Sequence, residues 1–77
     1  MNKHQAWTNA VEQWWSVGHP SLTIRRKSVV KRYVIGVYRR RQGGTSIKAK
    51  DLLFEGCGET WEAAIAATAA AERSLRP

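Results

Sequence analysis

Seventy-seven residues with a net charge of +7, 43% hydrophobic residues and four tryptophans suffice for one small core, read as a single domain over residues 1–77. A single cysteine excludes an internal disulfide and a thiolate-based metal framework, and no apolar run reaches the ~18 residues of a membrane span. The excess charge sits wholly in residues 21–50, which hold ten Lys and Arg and no Asp or Glu, between a neutral first stretch and an acidic last one.

Ala6, Trp7, Ala10, Val11, Trp14 and Trp15, with Val17 beyond, recur every three or four residues, which predicts an amphipathic helix over about 3–17. Asn2 is placed to cap it, with Gln5 at the position of a capping box. Gly18 is expected to supply a left-handed turn at its end, and Pro20 to block its resumption. Polar residues interrupt this stretch too often for a signal-peptide core, and with the lone cysteine they lead us to expect a cytoplasmic location. Indoles bury large areas in cores, which accounts for most of the tryptophans. Trp7 or Trp15, at the edge of the stripe, alternatively lies in a protein–protein contact.

Leu22 and Ile24 alternate with Thr23 and Arg25 as a short strand, followed by a turn at Arg26-Lys27-Ser28. A longer strand from about Val30 to Arg40 puts Tyr33, Ile35 and Val37 on one face and Arg32, Val34, Gly36, Tyr38 and Arg40 on the other. Gln42-Gly43-Gly44-Thr45 is a hairpin turn, since paired glycines accept positive φ. The third strand is expected from Ser46 to Glu55. Ile47 and Ala49 have the opposite parity to Leu52 and Phe54, so a bulge near Asp51 is required. Gly56-Cys57-Gly58 is expected to break the strand. Thr60 then caps a second helix over Trp61–Leu75, with Glu59 and Glu62 at its positive end and Arg73 and Arg76 at the other. Its inner face is Trp61, Ala64, Ile65, Thr68, Ala71 and Leu75, and its alanines let it lie close to the sheet. The expected fold is α+β, a two-layer α-β-β-β-α arrangement with a three-stranded antiparallel sheet and both helices on one face.

Little in the chain supports catalysis. Cys57 is a candidate thiol and His4 or His19 a candidate base, but neither histidine lies near it in sequence. Gly56-x-Gly58 lacks the third glycine and the lysine of a phosphate loop, and no acid pair or metal-ligand spacing occurs. The sequence predicts no enzyme, no catalytic residue, no cofactor and no metal. The basic sheet is the one constellation that points to function. Arg25, Arg32, Tyr38, Arg40, Lys48 and Lys50 are expected on the face away from the helices, with Arg39 and Arg41 flanking the Gly-Gly hairpin. Guanidinium groups bind phosphate or carboxylate in bidentate fashion, and a tyrosine among them stacks on bases.

The order helix–three strands–helix is similar to that of double-stranded-RNA-binding domains, and Gly56-Cys57-Gly58-Glu59-Thr60 with Ala64 and Ala69 resembles the small-residue entry to their final helix. Where that family places adjacent lysines to grip phosphates, this chain has Trp61-Glu62. Gly36-Val37-Tyr38-Arg39-Arg40-Arg41 and Glu59-Thr60-Trp61-Glu62-Ala63-Ala64 resemble plant-type and integrase-arm DNA-binding domains, whose three-stranded sheet reads the major groove. In size and composition the chain also looks like the small single-domain proteins of phages and mobile elements, anti-CRISPR proteins among them. These resemblances imply two functions. One is a phage-type inhibitor, monomeric or homodimeric in the host cytoplasm, that docks its basic sheet on a host protein or nucleoprotein complex such as a CRISPR effector. The other is direct binding of double-stranded DNA or RNA.

Overall fold

The computed structural model describes residues 1–40 and 49–75. Its elements run α1 (Lys3–Trp14), β1 (His19–Lys27), β2 (Val30–Tyr38), a 3-10 turn (Ala49–Asp51), β3 (Leu52–Gly58) and α2 (Trp61–Ser74). The strands form one antiparallel sheet in the order β1-β2-β3. Both helices pack on one face of it, around a core of Ala6, Ala10, Trp14, Leu22, Ile35, Val37, Phe54, Trp61 and Ala64. This is the α+β arrangement that the periodicities predict.

Asn2 caps α1 as expected: its side chain accepts from the Gln5 amide at 2.8 Å, and the Gln5 side chain accepts from the Asn2 amide at 2.9 Å. The helix stops at Trp14, where the amides of Val17 and Gly18 both donate to the Trp14 carbonyl at 2.9 Å. Gly18 is not in the left-handed region expected of it. A Cβ there would lie 2.4 Å from the Tyr38 carbonyl oxygen, so glycine is required for close approach to β2. Trp14 is the largest fully buried side chain; its ring meets Phe54 edge-on, and its indole N–H donates to Glu72 on α2 at 3.2 Å.

β1 begins at His19 and runs to Lys27, longer than expected, because the turn lies at Ser28-Val29 instead of Arg26–Ser28. Lys27 pairs with Val30, leaving a two-residue hairpin whose first central residue, Ser28, has φ 60°. That sign of φ is the one a type II′ turn demands there, and glycine adopts it most readily. The Gln42–Thr45 turn and residues 46–48 of the expected third strand lie outside the described residues. Ala49–Asp51 form a 3-10 turn instead of strand, and the bulge falls later than expected. Val37 pairs with Phe54 and Tyr38 with Leu52, so Leu53 is the extra residue.

Gly56-Cys57-Gly58 does not break β3; all three residues pair with β2. The glycines serve α2 instead. A Cβ on Gly56 would stand 2.2 Å from the Thr68 amide nitrogen, and one on Gly58 2.6 Å from the Ala63 methyl. Above them, Thr60 caps α2 by accepting from the Ala63 amide at 3.0 Å, and Trp61, Ala64 and Thr68 are buried. Leu75, expected on the inner face, is instead the exposed C-cap of α2.

Two substitutions test this description by urea unfolding. Gly56→Ala should lower stability by about 2 kcal/mol or more, because α2 must lift off β3. Ser28→Gly should raise it by roughly 0.5–1 kcal/mol, because it relieves the positive φ.

Candidate functional site

β3 ends opposite Tyr33, whereas β1 and β2 continue pairing through Arg25–Arg32, Arg26–Lys31 and Lys27–Val30. Residues 25–32 therefore form a two-stranded arm that extends about 10 Å beyond the three-stranded sheet. All eight residues are exposed, and Arg25, Arg26, Lys27, Lys31 and Arg32 are cationic. None of these five makes an ion pair among the described residues. Alternation puts Arg25, Lys27 and Arg32 on the open side of the sheet and Arg26 and Lys31 on the opposite side. Arg25 and Arg32 face each other directly across the strands, an arrangement of like charges that destabilises the isolated fold.

The eight residues expected to meet a partner separate into distinct places. Arg25 and Arg32 lie together on the arm. Tyr38 is half-buried at the far end of the open face, about 20 Å along β2. Its ring packs beside Gly36, whose added Cβ would lie 2.9 Å from it, with Leu52 alongside. Arg39 is tied to Asp51: its amide donates to the Asp51 carbonyl at 2.8 Å, and its exposed guanidinium lies 3.6 Å from the buried carboxylate. Lys50 is exposed in the neighbouring 3-10 turn.

Arg40 does not join the open face of the sheet. Its guanidinium donates to the carbonyls of Trp15 and Gly18 and stacks 4.1 Å from the centre of the Trp15 ring. A cation there satisfies the carbonyl of Trp15, the C-cap that α1 leaves without a helical partner, and that of Gly18 just before β1. Arg41 and Lys48 lie outside the described residues. Arg26 and Lys27 are absent from the expected set because the expected turn covers them, and Lys31 because its parity puts it on the helix side with Tyr33; the run of charge is their signal.

Of the tryptophans, Trp14 and Trp61 are buried, whereas Trp7 is 37% and Trp15 47% exposed. Both exposed rings lean on His19, at centroid distances of 6.1 and 5.7 Å, and the His19 Nδ1 donates to the Pro20 carbonyl at 2.8 Å. This aromatic patch, with Arg40 at its rim, lies at the opposite end of β1 from the arm. Cys57 is exposed on the open side, opposite Val34 and away from His19. Among the described residues, no group of three or more His, Cys, Asp or Glu is placed to hold a metal, and no helix is long and apolar enough to cross a membrane. No protein-family model, curated protein or solved structure matches the chain.

The arm and the Arg40 contact have opposite consequences for stability. Arg40→Ala should lower it by about 1 kcal/mol and alter the Trp15 fluorescence, since a cation–π contact and two carbonyl partners are lost. The double variant Arg25→Ala/Arg32→Ala should leave the melting temperature unchanged or raise it, since only repulsion is removed.

Proposed function

We propose that the chain is a non-enzymatic binding protein that grips duplex nucleic acid with the β1–β2 arm. The observation that carries this reading is the projection of five exposed cations on both sides of a two-stranded ribbon, beyond the edge of β3. The major groove of B-form DNA admits such a ribbon, and its walls are lined with phosphate on both sides. Cations on one side only would suit a flat acidic surface; cations on both sides suit insertion between two phosphate rows. Val29, 96% exposed at the tip, adds an apolar group of the kind that contacts thymine methyls. The acidic residues Glu59 and Glu62 sit at the start of α2, on the helical side of the molecule, and orient the approach through repulsion.

A second reading rests on a different observation, the exposed Trp7–His19–Trp15 patch with Arg40 beside it. Trp and Arg dominate the energetic centres of protein interfaces. On this reading the protein is a phage-type inhibitor that docks on a host protein or a nucleoprotein complex such as a CRISPR effector, its arm reaching the nucleic acid that such a complex carries.

Mobility-shift titrations against duplex DNA and duplex RNA at several salt concentrations separate the two. Five phosphate contacts on B-form DNA give a log–log salt slope of about −4.5. Arg26→Glu/Lys31→Glu should weaken DNA binding at least tenfold. An absence of shift at low salt would reject the duplex reading. Where the duplex shifts, Trp7→Ala/Trp15→Ala should retain full affinity, because the arm alone makes the contacts.

A further inference from the structure

On the open side of the sheet, at the root of the arm, Arg25, Lys27, Arg32, Val34, Glu55 and Cys57 line a concavity of about 370 Å³. That volume falls in the range of small-ligand sites. The lining is polarised along the strands. Arg25 pairs with Arg32 and Lys27 stands one same-side position farther out, so three cations occupy one end. Glu55, opposite Gly36, is the one carboxylate of the lining and stands at the other end, about 13 Å away along the strand direction. Between them lies Val34 with its partner Cys57. Val34 is 5% exposed although it faces the open side, so it forms an apolar floor, and the aliphatic stems of the arginines supply apolar walls.

We infer that this concavity is a binding site for a nucleoside 5′-phosphate that carries an exocyclic amino group, either free or within a single strand. The phosphate lies between Arg25 and Arg32 with Lys27 beside it, which turns their mutual repulsion into shared attraction for one dianion. The base lies flat over Val34. Its amino group donates to Glu55, the pairing that acidic side chains make with cytosine N4. A simple anion would not use the Val34 floor and would be repelled by Glu55. A neutral apolar ligand would leave three cations without partners. Only a ligand with an anionic head and a donor tail uses the whole lining. The site shares Arg25, Lys27 and Arg32 with the duplex-binding reading, but Val34 and Glu55 belong to it alone, and Arg26 and Lys31 lie outside it.

The test is a titration of the ¹⁵N-labelled full chain with cytidine 5′-monophosphate, uridine 5′-monophosphate and inorganic phosphate, followed by amide shifts. The cytidine nucleotide should move Val34, Glu55 and Cys57 and bind about tenfold more tightly than the uridine nucleotide, whose O4 is an acceptor. Glu55→Ala, an exposed change, should weaken cytidine nucleotide binding about tenfold while tightening inorganic phosphate about twofold. That crossing of signs is something a merely structural glutamate would not produce. A short oligocytidylate that binds more tightly than the mononucleotide identifies a strand-borne occupant, and one that binds more weakly identifies the free nucleotide. Shifts confined to Arg25, Lys27 and Arg32, or a Glu55→Ala effect of the same sign on both ligands, would overturn the inference. Arg26→Glu/Lys31→Glu separates the two sites: it should weaken duplex binding at least tenfold and leave nucleotide binding in place. Loss of duplex binding in the unaltered chain with nucleotide binding intact would sink the duplex reading alone.

Discussion

The close approach of α2 to β3 sets the geometry on which the other elements depend. Gly56 and Gly58 hold strand positions with no side chain on the inner face, and the backbone of α2 at Ala63–Thr68 occupies the space where their Cβ atoms would be. At this separation the Thr68 hydroxyl, wholly buried, reaches across β3 to the Ile35 carbonyl of β2 at 3.3 Å while staying within 2.7 Å of the Ala64 carbonyl of its own helix. A polar group is thus buried with two acceptors in place, which removes the penalty for desolvating it. The alanines of α2 follow from the same requirement, since larger side chains would hold the helix away. With so little side chain contributed by the rest of α2, much of the core volume comes from Trp14 of α1 and Trp61 at the start of α2.

This compact arrangement stops at Gly58, and the arm begins where it stops. Among the described residues, no helix or third strand covers β1 and β2 beyond Tyr33, so charge there carries no burial penalty, and five cations fit into eight residues. Closer to the core, Arg39 and Arg40 are already engaged: Arg39 compensates the buried carboxylate of Asp51, and Arg40 closes the end of α1. Among the described residues, the basic stretch therefore holds a structural pair at 39–40, the exposed Lys50 and an outward-facing part at 25–32. Helix 1 contributes a second exposed feature, because the stripe of apolar residues is wider than the sheet it covers and leaves Trp7 and Trp15 at the margin.

Most of the fold was legible in the chain because its signals were local. The Asn2–Gln5 box, the Thr60 cap and the 3.6-residue periodicities need no knowledge of tertiary contacts, and both helices begin where these place them, α1 ending at Trp14, three residues before its expected end. The alternation of Tyr33, Ile35 and Val37 likewise set the inner face of β2. What escaped were residues whose role depends on a distant segment. Gly18, Gly56 and Gly58 read as punctuation from sequence, yet they are points of contact with Tyr38, Thr68 and Ala63. Arg40 read as one charge in a row, but its partners lie at the end of a helix twenty-two or more residues earlier. The turn was misplaced because Ser28 takes a conformation usually left to glycine, and nothing in Lys27-Ser28-Val29 announces it. That shift hid the outer half of the arm, since it assigned Arg26 and Lys27 to a loop.

β1 is an edge strand nine residues long, with one side of its backbone available for pairing. Such an edge is a template for a second copy, and three consecutive cations at its outer end, Arg25-Arg26-Lys27, oppose that pairing by repulsion. The protection is electrostatic and not steric, so its reach is the Debye length and contracts to roughly 8 Å at physiological ionic strength. The repulsion between two such edges is therefore coupled to the ions around them: an added salt, or any polyanion that neutralises the arm, lowers the barrier between neighbouring edges.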